Sequence, residues 1–138
     1  MLLKNLSLAV IGFSVLSQSC FAATNAITYK NERGSVLELT RLPDNKIEGF
    51  FTTAVASKEC QEKAIGKKQP IIGYTTGNVV SFSVVYPQCG SVLSVIGNFD
   101  DKQNIIDTMA ILNRQATDII HEGPGSRLIG HDTYKKIG

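Results

Sequence analysis

The sequence has no tryptophan, four prolines and two histidines among its 138 residues. Any apolar pocket must therefore be walled by its four tyrosines, six phenylalanines and aliphatic side chains. Neither charge sign prevails. Against 14 Lys and Arg stand 12 Asp and Glu, a formal net charge of +2, which excludes the basic field that a nucleic-acid backbone requires. No apolar run approaches the roughly 20 residues that a helix needs to cross a bilayer. With two histidines and three cysteines, a metal site lacks a convincing ligand set. No Gly-Xaa-Ser-Xaa-Gly elbow, phosphate loop or zinc spacing occurs. These absences point away from an enzyme, a resident metal or a cofactor.

What is present suffices for one domain. Hydrophobic residues make up 43% and charged residues 19%, enough to bury a core, and 12 glycines promise many turns.

Residues 1–22 read as an export signal to be cleaved. Lys4 gives a positive start, Leu6 to Leu16 form a short apolar run, and small and polar residues follow up to Ala22. Cys20 follows Ser17-Gln18-Ser19, without the aliphatic residue close by that lipidation of a new N-terminal cysteine requires. The mature domain is then residues 23–138, secreted or periplasmic, and loss of Lys4 leaves it a net charge of +1. Two cysteines remain, Cys60 and Cys89. In an oxidising compartment a single disulfide between them is the economical reading. It would close a loop of about 30 residues, worth roughly 3–4 kcal/mol by chain entropy.

From residue 26 on, apolar residues recur with period two between turn residues. The alternation predicts strands over 26–30, 35–42, 46–56, 70–75, 79–86, 91–99, 105–113 and 128–137, with residues 57–69 as a long mobile loop and no convincing helix. On the third strand Ile47, Gly49, Phe51, Thr53 and Val55 share a face. Eight short strands joined by short turns predict an all-β fold, an eight-stranded antiparallel up-and-down β-barrel, which can hold one small ligand and has no open sheet edge.

Four polar residues interrupt the inward faces or their turns. Asn31 and Ser35 flank a glycine turn at one mouth, while Thr53 and Asp132 fall on faces otherwise apolar. Inside a barrel such groups need partners, either one another or a ligand. His131 and Asp132 are adjacent, so on a strand they face opposite sides and cannot act together as a catalytic pair.

At these residues the sequence resembles the avidin and streptavidin family of biotin-binding barrels. The likeness runs from about Thr28 to Ile137. It is carried by Asn31-Glu32-Arg33-Gly34-Ser35, by Ile47-Glu48-Gly49-Phe50-Phe51-Thr52-Thr53-Ala54-Val55, by Gly73-Tyr74 with Phe82-Ser83-Val84-Val85-Tyr86, by Thr108-Met109-Ala110-Ile111-Leu112 and by Gly130-His131-Asp132-Thr133-Tyr134, in that order. Cys60 and Cys89 are similar to the paired cysteines of the dimeric bacterial avidins. The tetrameric members' intersubunit tryptophan lid would fall near Pro124, where none stands. The resemblance thus implies a homo-oligomer, with a dimer favoured.

It also implies a ligand set. Asn31 and Ser35 match donors to the ureido oxygen of biotin. Asp132 matches the acid that accepts one ureido N–H, Thr53 a hydroxyl that accepts the other, and Ser91 a hydroxyl near the carboxylate tail. Elsewhere the pattern departs. Phe51 stands where the family has a tyrosine donor. Tyr86, Val95 and Ala110 stand at wall tryptophans, Tyr29 at a further tryptophan, and Leu93 at a hydroxyl near the ring sulfur. A lost donor costs roughly 1–3 kcal/mol and the lost walls roughly 4–8 kcal/mol. The biotin–streptavidin complex lies near the ceiling of non-covalent affinity, so a deficit of roughly 5–10 kcal/mol leaves micromolar to nanomolar binding. Three readings follow: a barrel for biotin or a biotin-like small molecule with weakened affinity; the same barrel repurposed for a bulkier, more apolar ligand; or an exported inhibitor or interaction barrel whose contact surface is the segment 57–69.

Overall fold

A computed structural model describes residues 25–138; the expected signal sequence, residues 1–22, lies outside the described residues. The period-two alternation forms eight strands: β1 (Ile27–Asn31), β2 (Val36–Arg41), β3 (Lys46–Thr52), β4 (Lys68–Thr76), β5 (Val79–Tyr86), β6 (Ser91–Phe99), β7 (Ile105–Arg114) and β8 (Arg127–Lys136). Each pairs antiparallel with the next, and β8 returns to pair with β1, so the expected up-and-down barrel is closed. The closing register sets Asn31 opposite Tyr134.

One side-chain set fills the interior. Tyr29, Leu37, Ile47, Val84, Val95 and Ile106 are all nearly or fully buried. Where strands approach closely the sequence supplies glycine. A Cβ on Gly49 would stand 1.8 Å from the backbone oxygen of Glu38, and its φ of +150° is unfavourable for other residues. The partner of Gly49 in the β2–β3 register is Leu39.

Two local expectations are corrected. The third strand stops at Thr52 instead of continuing to residue 56. Its last partner in β4 is Lys68. Just beyond, the Thr53 hydroxyl donates to the Val55 carbonyl at 2.6 Å and accepts the Val55 N–H at 3.2 Å, a local turn that competes with the ladder. Val55 consequently leaves the strand and is exposed at the edge of the cavity.

The segment 57–69 is not an irregular loop. It contains a 3₁₀ turn (Lys58–Cys60), then the single-turn helix α1 (Gln61–Ala64), and its end joins β4. Cys60 and Ala64 are buried, and the Gly66 N–H donates to the Thr53 carbonyl. The Cys60–Cys89 disulfide forms as expected, with Cα atoms 5.8 Å apart, and ties this segment to the β5–β6 connection.

Candidate functional site

The ends of β1, β3, β5 and β7 and the starts of β2, β4, β6 and β8 meet at one end of the barrel, where a cavity of about 570 Å³ opens. Nine residues expected in the site line it: Asn31, Ser35, Phe51, Thr53, Tyr86, Ser91, Leu93, Ala110 and Asp132. Val95 does not. It points inward one step below Leu93 on β6, between Phe82 and Ala110 in the register, and is 1% exposed as part of the packed floor. Tyr29 belongs to the opposite end, beside a smaller cavity with Leu39, Arg41 and Phe99.

The polar side chains at the mouth are held in definite hydrogen-bonding senses. Gly34, at φ +95°, lets the β1–β2 turn close so that Asn31 and Ser35 stand together. Asn31 Oδ1 accepts the Ser35 N–H at 2.8 Å, which directs the Asn31 amide NH₂ away as a donor. Ser35 Oγ accepts the Ala54 N–H at 3.0 Å, leaving its own proton free to donate. Thr53 is the reverse case. Its proton is committed to the Val55 carbonyl, so what it retains for the cavity is a lone pair. Asp132 stands on the inward side of β8, its side chain only 15% exposed. Its outward neighbour His131 instead meets Asp107 on the outer surface, as strand alternation requires.

Residues not singled out from the sequence complete the site. Arg33, in the β1–β2 turn, reaches Asp132. Tyr134, two residues beyond Asp132 on the same face of β8, packs edge-on against Phe51 with ring centroids 6.5 Å apart. Period two from Asp132 was the signal that could have found it. Glu59, Lys63 and Ala64 line the cavity from the disulfide-tied segment, and Arg114 lines it from the end of β7.

Two phenols of this cavity are shifted from the ordinary tyrosine range. Burial pushes Tyr86 up to about 12. Tyr134 is raised first by burial and then by the Asp132 charge, an effect that the Asn31 side chain partly offsets by hydrogen bonding. Both remain neutral donors at ordinary pH. Among the described residues no group of His, Cys, Asp and Glu side chains could hold a metal ion, and no helix is long and apolar enough to cross a membrane.

The family model of the avidins matches residues 9–137. The chain belongs to the avidin family. Its barrel is similar to bradavidin at 25% identity over 83% of this chain and 82% of that one, with a TM-score of 0.67. It is similar to intact afifavidin at 25% identity over 82% and 81% of the two chains, with a TM-score of 0.66. A bradavidin2–biotin complex matches in fold at 23% identity, over 83% and 98% of the two chains, with a TM-score of 0.66. No curated protein sequence matches. In this avidin, then, the cavity lies at one end of a closed barrel, with donors on β1 and at the entry to β2, and acceptors just past β3 and on β8.

Proposed function

We propose that this avidin is an exported, non-enzymatic binder of biotin or a closely related cyclic urea, secreted or periplasmic. The observation that carries the reading is the polarity of the mouth. Asn31 Nδ2 and Ser35 Oγ have protons to give, while Thr53 Oγ1 and Asp132 have lone pairs to offer. A carbonyl flanked by two N–H groups, the outline of a cyclic urea, complements that set group for group. The biotin in the bradavidin2 complex supports the same ligand class. Calorimetric titration with biotin tests it. One site per chain is expected, much weakened in Asp132→Ala; no heat at high micromolar biotin removes biotin as the ligand.

We assign it an affinity below that of the tryptophan-walled family members. Tyr86 and Ala110 offer less apolar surface than the indole walls they stand in for, and β3 contributes the bare phenyl of Phe51. A second reading, a bulkier apolar ligand, is favoured by the outer cavity wall, where Leu93, Ala110, Leu112 and Leu128 gather. Native mass spectrometry of protein purified from its source tests it through a co-purifying mass. The segment 57–69 turns Glu59, Lys63 and Ala64 toward the cavity, which favours a ligand-binding role for it over an inhibitor's contact surface.

The chain works as a homo-oligomer, a dimer in our reading. Outside the barrel, β4 to β8 carry apolar rows in register: Ile72, then across Ser83 and Ser94 to Ile111 and Ile129, and beside them Ile96 next to Met109. Ile72 and Ile129 are 78% and 70% exposed in the single chain. The exposed group of Ile96, Met109, Ile111 and Ile129, with Ile72 set apart by the two serines, supports an interface between subunits.

A further inference from the structure

The hydroxyl of Tyr86 is, among the described residues, a buried polar atom with no hydrogen-bond partner. The residue is only 6% exposed, and it lines the large cavity. Folding strips this oxygen of water and gives nothing in return, which is unfavourable unless another molecule completes the bond. A second phenol shares the same end of the barrel. Tyr134 is 3% exposed, lines the cavity, and stands opposite Asn31 in the β1–β8 register. Its ring is held edge-on by Phe51. Two residues beyond Asp132 on β8, it lines the same cavity as Asp132 and Asn31 and so lies among the polar groups of the mouth. Phe51, between these groups on the β3 wall, has no polar atom to offer.

We infer that Tyr134 and Tyr86 are ligand-binding donors, their phenol hydroxyls supplying the hydrogen bonds to the ligand's carbonyl end that the bare ring of Phe51 cannot. The inference rests on the cyclic-urea reading and deepens it. Tyr134 adds its O–H to those of Asn31 Nδ2 and Ser35 Oγ around one acceptor. Tyr86, which ends β5 and lines the same cavity, is satisfied by the same end of the ligand. Donors from β5 and β8 thereby replace a donor from β3. The arrangement selects a ligand whose buried end is an acceptor, because a donor there would face four O–H and N–H groups.

The test is calorimetric titration of biotin into the parent chain, Tyr134→Phe, Tyr86→Phe and the double variant Phe51→Tyr/Tyr134→Phe, each first shown to melt cooperatively. The single Tyr→Phe variants are expected to bind roughly 5- to 150-fold more weakly. The double variant is expected to recover most of the Tyr134→Phe loss, because the hydroxyl returns on the neighbouring ring. Saturating biotin should also delay phenol ionisation in the unmodified parent, read by near-ultraviolet absorbance, a measurement that needs no variant. Unchanged affinity in both single variants, or phenol titration unmoved by bound biotin, overturns the inference and leaves the cyclic-urea reading standing. A parent chain that gives no heat with biotin overturns both.

Discussion

Arg33 and Asp132 are ion-paired across the cavity mouth, with Nη2 of the arginine 2.5 Å from Oδ2 of the acid. The guanidinium comes from the β1–β2 turn and is half exposed, whereas the carboxylate comes from β8 and is mostly covered. The acid assigned to a ligand N–H is therefore engaged by the arginine, which a ligand must share or displace.

Removing the competitor should help the ligand slightly. An exposed pair is worth about 0–1 kcal/mol, so Arg33→Ala is expected to tighten biotin binding by up to about fivefold. Asp132→Asn should act oppositely, weakening binding by roughly 10- to 150-fold, because a hydrogen bond to a charged group contributes about 1.5–3 kcal/mol. Titration calorimetry at two salt concentrations checks both. A tighter parent and an unchanged Arg33→Ala at high salt would match screening of this pair.

The disulfide should matter for stability more than its single bond suggests. Cys60 and Cys89 are 29 residues apart, and opening that loop is expected to cost roughly 3–4 kcal/mol. The Cys60→Ser/Cys89→Ser variant should then melt roughly 10–25 °C lower. Differential scanning calorimetry checks this, and biotin titration of the same variant reports whether the tied segment also shapes the cavity.

Stability should fall in strong base. The Tyr86 phenol ionises near pH 10 when exposed but only at about 12 in the fold. Below pH 10 both states hold the proton and its contribution is intact. Between 10 and 12 the unfolded chain releases the proton first, so folding loses up to about 1.4 kcal/mol per pH unit from this group. Tyr134 shifts in the same direction. Melting temperatures measured from pH 9 to 12 should decline, and Tyr86→Phe should make the decline shallower.

The outer apolar rows predict the assembly. A charge at Ile96 or Ile129, both exposed in the single chain, should abolish self-association while leaving the barrel folded. Ile96→Lys or Ile129→Glu is expected to elute at monomer mass in light-scattering chromatography, with an unchanged circular dichroism spectrum. Burying an unpaired charge in such an interface costs far more than a surface substitution.

Much of the barrel was legible because period-two alternation, as in Leu37 and Leu39 or Val80, Phe82 and Val84, is a local property that the closed sheet keeps. The end of β3 was less legible. Thr53 and Val55 continue the alternation, yet a side-chain hydrogen bond within that pair turns the chain out of the sheet. The helical turn at Gln61–Ala64 was hidden because it depends on the disulfide and on Ala64 packing into the core. In the site, Asn31, Ser35 and Asp132 stood out as polar residues among apolar ones. Val95 lies in the packed floor and not in the cavity lining, because strand alternation gives the facing side but not the depth along the barrel. Arg33 and Tyr134 carry no such mark in the sequence, since an arginine in a turn and a tyrosine on an inward face fit the pattern around them.

Asn31 and Asp132 lie 101 residues apart in sequence, on strands that become neighbours only when the sheet wraps into a ring. Asn31, Ser35 and Thr53 are therefore without Asp132 until the seam between β1 and β8 is zipped. Occupancy of the cavity then doubles as a readout of ring completion: an unclosed intermediate, however rich in strands, has nowhere to hold a guest.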